Sequence, residues 1–197
     1  MKRLIFSVLA LSAVIITSPA LFATQVLPLN LNKIVSAAEF AFAGLCIDVK
    51  VEKRKDKHFA NAYDVTTYTF LIEEPLKGAL KKGQLHKFSQ WGSARGKGIV
   101  GNRVIGQVEY KKNKRYVLFL TPTSKTGLTS PIGLNQGALN IIVTANGQKS
   151  VKSPVLKSVM SRQLKATPGL QKSLGVGGAQ NEMSLDNFLE IIGEIKK

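Results

Sequence analysis

The run VTTYTFLIE at residues 65–73 constrains the fold more than any other feature of this chain. Tyr68, Phe70 and Ile72 alternate with Thr67, Thr69 and Leu71, the period of two that sends successive side chains to opposite sides of a strand. Its residues are β-branched or aromatic, types that fit a pleated surface. Comparable runs recur at 40–51 (FAFAGLCIDVKV), 84–91 (QLHKFSQW), 115–121 (RYVLFLT), 138–144 and 148–151, with a weaker one at 104–110. Ala145-Asn146-Gly147 separates two of them and carries the Asn-Gly hairpin signal. No helix-length segment alternates with these strands, which excludes a parallel βαβ architecture. The class expected is mainly β, an antiparallel barrel or sandwich.

Within 40–51, Ala41, Ala43, Leu45, Ile47, Val49 and Val51 fall on one face and Phe40, Phe42 and Cys46 on the other. Gly44 marks a bulge or a close backbone approach. Residues 52–61 are polar and charged, as a hairpin tip or long loop would be, while Pro75 and the turn Leu76-Lys77-Gly78 should end the strand at 65–73. Asn32 is placed to cap a short helix over 33–38. Ser184 is placed to cap an amphipathic C-terminal helix carrying Leu185, Phe188, Leu189, Ile192 and Ile195 on one face. Residues 152–181, rich in Ser, Lys, Gln and Gly, read as a flexible basic arm with a helical turn near 155–164. The expected organisation is therefore a signal peptide over 1–23, a β-barrel domain over 24–151, that arm over 152–181 and a C-terminal helix over 182–197.

The export signal rests on Lys2 and Arg3, an uncharged apolar run over 4–16, Pro19 and small residues at Ala20 and Ala23. The apolar run is shorter than the ~20 residues a membrane span needs, so cleavage near Ala23 and a periplasmic or secreted protein are expected. The chain holds 28 Lys+Arg against 12 Asp+Glu, and loss of Lys2 and Arg3 leaves a formal charge of +14. Residues 50–115 alone carry +10 of that charge.

A longer pattern joins these pieces. A short helix and a strand lead to Thr67-Tyr68-Thr69-Phe70 and Glu73-Glu74-Pro75-Leu76-Lys77-Gly78. Residues 106–110 follow, then Lys111-Lys112-Asn113-Lys114-Arg115-Tyr116-Val117-Leu118-Phe119-Leu120. Over residues 32–145 this resembles secreted bacterial proteins of uncharacterised role whose barrel is similar to the netrin-like, OB-type fold of the tissue inhibitors of metalloproteinases. The resemblance implies an antiparallel OB-like β-barrel. It does not imply the inhibitory activity, because that family chelates zinc through a cysteine at the mature N-terminus and is disulfide-linked. Here the single cysteine, Cys46, lies inside a strand.

Catalytic motifs are lacking. Gly92-Ser93-Ala94-Arg95-Gly96-Lys97-Gly98 has the wrong spacing for a P-loop and no hydroxyl after the lysine. Lys125-Thr126-Gly127 has no Ser-x-x-Lys to accompany it. Cys46 sits between Leu45 and Ile47, as a core thiol does. A small hydrolase using Cys46 with His58 or His86 is the only enzymatic alternative, and no cofactor or metal ligand set is expected. Glu73 and Glu74 are adjacent and would point to opposite faces.

Basic clusters are the functional lead. Lys50, Lys53, Arg54, Lys55 and Lys57 form the first, and Lys77, Lys81, Lys82 and Lys87 the second. Arg95, Lys97 and Arg103 form the third, and Lys111, Lys112, Lys114 and Arg115 the fourth. Trp91, Tyr110 and Tyr116 lie beside them and are of a type that stacks on bases or sugars. The expectation is a non-enzymatic binding module whose basic rim loops hold an anionic polymer, a membrane surface or an acidic protein. A protein-interaction or protease-inhibitor-like module is the alternative, and nucleic acid is allowed by charge but disfavoured by export.

Overall fold

The computed structural model describes residues 27–55, 61–93, 106–166 and 181–196. Within them the chain runs α1 (Leu31–Ala37), β1 (Phe40–Arg54), β2 (Tyr63–Lys77), β3 (Leu85–Trp91), β4 (Arg115–Leu120) and a 3-10 turn (Leu134–Gly137). It continues through β5 (Ala138–Val143), β6 (Lys149–Lys152), α2 (Leu156–Ala166), β7 (Glu182–Ser184) and α3 (Leu185–Ile195). All seven strands join one antiparallel sheet in the order β3-β2-β1-β4-β5-β6-β7. The fold is mainly β, as the period-two runs require, but strand pairing does not close the sheet: β3 and β7 are its edges. A barrel needs those edges hydrogen-bonded to each other. Among the described residues only a loop approaches such closure, where the Thr129 N–H donates to Ser89 O of β3 at 2.9 Å.

β1 and β2 form the spine, paired from Ala41↔Lys77 to Arg54↔Tyr63 with register shifts after Ala41, Ala43 and Cys46. Gly44 sits at one shift, and a Cβ there would lie 2.7 Å from Leu71 O, so the close approach is real. The turn expected at Pro75 does not stop β2, because a register shift accommodates Pro75 opposite Phe42 and pairing continues to Lys77. Residues 106–110 make no strand. Asn146-Gly147 does turn the β5–β6 hairpin, with Gly147 at φ 81°.

The sheet buries two cores on opposite faces. On one, Ala41, Ala43, Val117, Phe119, Leu139 and Val151 meet the three helices. α1 is capped by Asn30 rather than Asn32: the Lys33 N–H donates to Asn30 Oδ1 at 2.9 Å. The Lys77 ammonium donates to Val35 O and Ser36 O, both at 2.8 Å, satisfying carbonyls at the helix end. α2 stands where a helical turn was expected near 155–164, but it is docked rather than part of a flexible arm. Leu156, Val159 and Met160 are buried, and Gln163 Oε1 accepts from the Asn32 N–H at 2.9 Å, so the helix is part of this core. Residues 167–180 of that expected arm lie outside the described residues. α3 begins at Ser184 as anticipated, after the short β7, and buries Leu185, Phe188, Ile191 and Ile192.

The other core is aromatic. Phe42, Tyr68, Phe70 and Phe88 from β1, β2 and β3 pack with Tyr116 of β4 and with Tyr110, which arrives from the segment before β4. Tyr110 lies edge-on to Tyr68 at 4.8 Å and to Tyr116 at 5.1 Å. That anchor lays residues 106–114 across the face of the sheet.

Candidate functional site

The segment anchored by Tyr110 continues into a tight turn clamped to β1. The Asn113 N–H donates to Cys46 O at 2.8 Å and the Cys46 N–H to Lys114 O at 2.9 Å. Asn113 adopts φ 64°, a left-handed conformation that asparagine tolerates. Tyr116 Oη accepts from the Lys111 N–H at 3.0 Å, fixing the start of the turn. With the backbone held this way, Lys111, Lys112, Asn113 and Lys114 are all exposed.

Register builds a floor beside this wall. Tyr116 pairs with Asn140 and Asn140 with Lys152, so the three share one face, and Ile142 follows two residues on. Ala138 starts that face inside the aromatic core, but beyond it Asn140, Ile142 and Lys152 are exposed. Wall and floor enclose a cleft of about 520 Å³ lined by Lys111, Asn113, Lys114, Asn140, Ile142 and Lys152, with Glu109 the only acid among the described residues that line it.

The cations there are not equivalent. The Arg115 guanidinium, although at the cleft, is held by Glu73 through Nε at 2.8 and 3.1 Å, and Lys149 Nζ lies 3.7 Å from the same carboxylate. Lys152 is 3.3 Å from Glu182, whose carboxyl the Ser150 hydroxyl and Lys152 hold below its usual range. Lys111 and Lys114 have no ion-pair or side-chain hydrogen-bond partner among the described residues. Their charge is the part available to a ligand.

Among the described residues, the basic groups at the end of β1 and on the 109–116 segment do not meet on one rim. Lys53 and Arg54 end β1 and Lys55 follows it, and Arg54 is nine residues from Leu45, where β4 begins its pairing, about 30 Å at ~3.3 Å per residue. Arg54 donates to Thr126 O at 3.4 Å and approaches Glu52 at 3.3 Å, so it ties β1 to the loop after β4. Lys81 and Lys82 are exposed on the β2–β3 connection. Trp91 is stacked on Tyr63 at 4.3 Å, and Tyr110 and Tyr116 are buried, so the two tyrosines expected to stack on a ligand are core residues. Lys57, Arg95, Lys97 and Arg103 lie outside the described residues.

Cys46 is fully buried, and burial pushes its thiol up to about 11. It pairs with Phe70 and Phe70 with His86, so two strand spacings of ~4.8 Å, roughly 10 Å, separate thiol-bearing and imidazole-bearing backbones. His86, against Phe40 and Phe42, is shifted down by burial. A neutral imidazole that far from a protonated thiol does not activate it. Among the described residues, no three His, Cys, Asp or Glu side chains cluster to hold a metal, and no helix is long and apolar enough to cross a membrane.

Sequence reasoning named Lys111, Lys114 and Arg115 but missed Asn140, Ile142 and Lys152, which enter the cleft from the β5–β6 hairpin. The Asn-Gly turn contained the signal, since pairing outward from it sets Lys152 opposite Asn140. No protein-family model, curated protein or solved structure matches the chain.

Proposed function

We propose that the chain is an exported, non-enzymatic binding module that holds an anionic partner in the cleft between the 109–116 segment and the β5–β6 hairpin. The observation that carries this reading is the pair Lys111 and Lys114, unneutralised and fixed on a clamped turn beside Lys152. Cations preset around a concave, partly desolvated surface attract an anion more strongly than the same charges scattered in water. Export rests on residues 1–23, with Lys2 and Arg3 before the apolar run over 4–16 and cleavage near Ala23. An OB-like, netrin-type kinship is proposed over residues 32–145, supported by the loop that reaches β3 through Thr129.

The test uses a fluorescent anionic oligomer, such as a short dextran sulfate, titrated by anisotropy at about 0.05 M and about 0.5 M salt. Lys111→Glu/Lys114→Glu should weaken binding about tenfold or more at low salt, and Lys53→Glu/Lys55→Glu about threefold or less. Equal losses in the two variants would mean that net charge, not the cleft, attracts the probe, and would overturn the reading.

A further inference from the structure

We infer that the cleft takes a short segment of an acidic glycan, its sugar hydroxyls on Asn113 and Asn140 and its anionic groups on Lys111 and Lys114. This rests on the cleft being the anion site and goes further by naming the ligand class. Besides lysines, the cleft presents two carboxamides that have no hydrogen-bond partner among the described residues. A carboxamide both donates and accepts, which suits a hydroxyl that does the same. An anion alone needs only donors. Ile142, 38% exposed on the floor between Asn140 and the hairpin turn, offers apolar surface for the C–H face of a sugar ring.

The other anionic classes fit less well. Bases need a free aromatic face, and Tyr110 and Tyr116 are buried while Trp91 already lies on Tyr63. A bilayer needs an apolar projection, and the tip of the β5–β6 hairpin is Thr144-Ala145-Asn146-Gly147, with Ile142 and Val143 set back from it in the cleft lining. A protein surface needs roughly 800 Å² per partner, whereas a concavity of about 520 Å³ suits a chain segment or small ligand.

The experiment measures binding of four probes to the full-length mature chain by calorimetry: an oligogalacturonate, a phosphorylated oligosaccharide, a neutral oligosaccharide of the same length, and inorganic polyphosphate of matched charge. Two variants separate hydroxyl recognition from charge. Asn113→Gly keeps the left-handed backbone while removing the amide, and Asn140→Ala alters an exposed position. Each should weaken the acidic glycans about fivefold and leave polyphosphate within about twofold. Whichever of the two acidic glycans binds tighter identifies carboxylate or phosphate as the anion. If polyphosphate binds as tightly as the glycans, and neither variant distinguishes them, the glycan assignment is overturned while the cleft stands as an anion site. Binding of anionic vesicles but of no oligosaccharide also overturns it. If no anionic probe binds through Lys111 and Lys114, both readings fall.

Discussion

Replacing Phe188 with alanine should remove much of the stability that the helices contribute to the sheet. Phe188 is fully buried in α3, and its ring meets Phe119 of β4 edge-on at 6.5 Å. Truncating a buried phenylalanine costs about 3–5 kcal/mol, combining lost transfer energy with the cavity left behind. α3 has only 11 residues, too short to persist unaided, so the loss cannot be absorbed by a helix that stays folded on its own. At roughly 2–4 °C per kcal/mol for a chain of this size, the melting temperature should fall by about 6–20 °C. Urea unfolding followed by circular dichroism gives the same quantity through the midpoint, provided the slope is unchanged. Glu190→Ala, at an exposed position of the same helix, is the control and should stay within about 0.5 kcal/mol. A loss below about 1 kcal/mol for Phe188→Ala would refute the docking of α3 against β4.

Three further outcomes follow from the same geometry. Gly44→Ala forces a Cβ to within 2.7 Å of Leu71 O, a backbone atom that cannot swing aside, and should cost about 1–3 kcal/mol in urea unfolding. Glu73→Gln leaves Arg115 and Lys149 without their carboxylate; because all three side chains are a quarter to two-fifths exposed, the loss should be only about 1 kcal/mol. Cys46, Tyr110 and Tyr116 are all shifted up by burial, so the folded chain holds these protons more tightly than the unfolded one. The contribution of these three groups should therefore be level below the unfolded thiol pKa of about 8.5 and fall as pH rises beyond it, with Cys46→Ala retaining part of what is lost. A urea midpoint that stays flat to pH 10 would contradict that assignment.

The strands were legible because their signals are local. Alternation in VTTYTFLIE, the Asn-Gly turn and Ser184 each act through neighbours in the chain, and each holds in the structure. Pairing partners across the sheet were not legible, which is why an open seven-stranded sheet stands where a closed barrel was expected. α2 was read as an arm because its polar surface dilutes the periodicity of Leu156, Val159 and Met160. Only docking against α1 and the sheet makes it a core helix. The cleft shows the same division. Lys111 and Lys114 stand out as charges in a run, but Asn140 and Lys152 become neighbours only through β5–β6 register. Arg54 and Arg115, equally prominent in sequence, are engaged by Thr126 O and Glu73 and lend the surface less charge than a count implies.

The most direct test of the central claim is where an acidic oligosaccharide perturbs the folded chain. In a ¹⁵N-resolved NMR titration, shift changes should concentrate at Lys111, Asn113, Lys114, Asn140, Ile142 and Lys152 and leave Lys53, Lys55, Lys81 and Lys82 unmoved. Perturbations centred on those last four lysines, or spread evenly over every basic segment, would contradict the account.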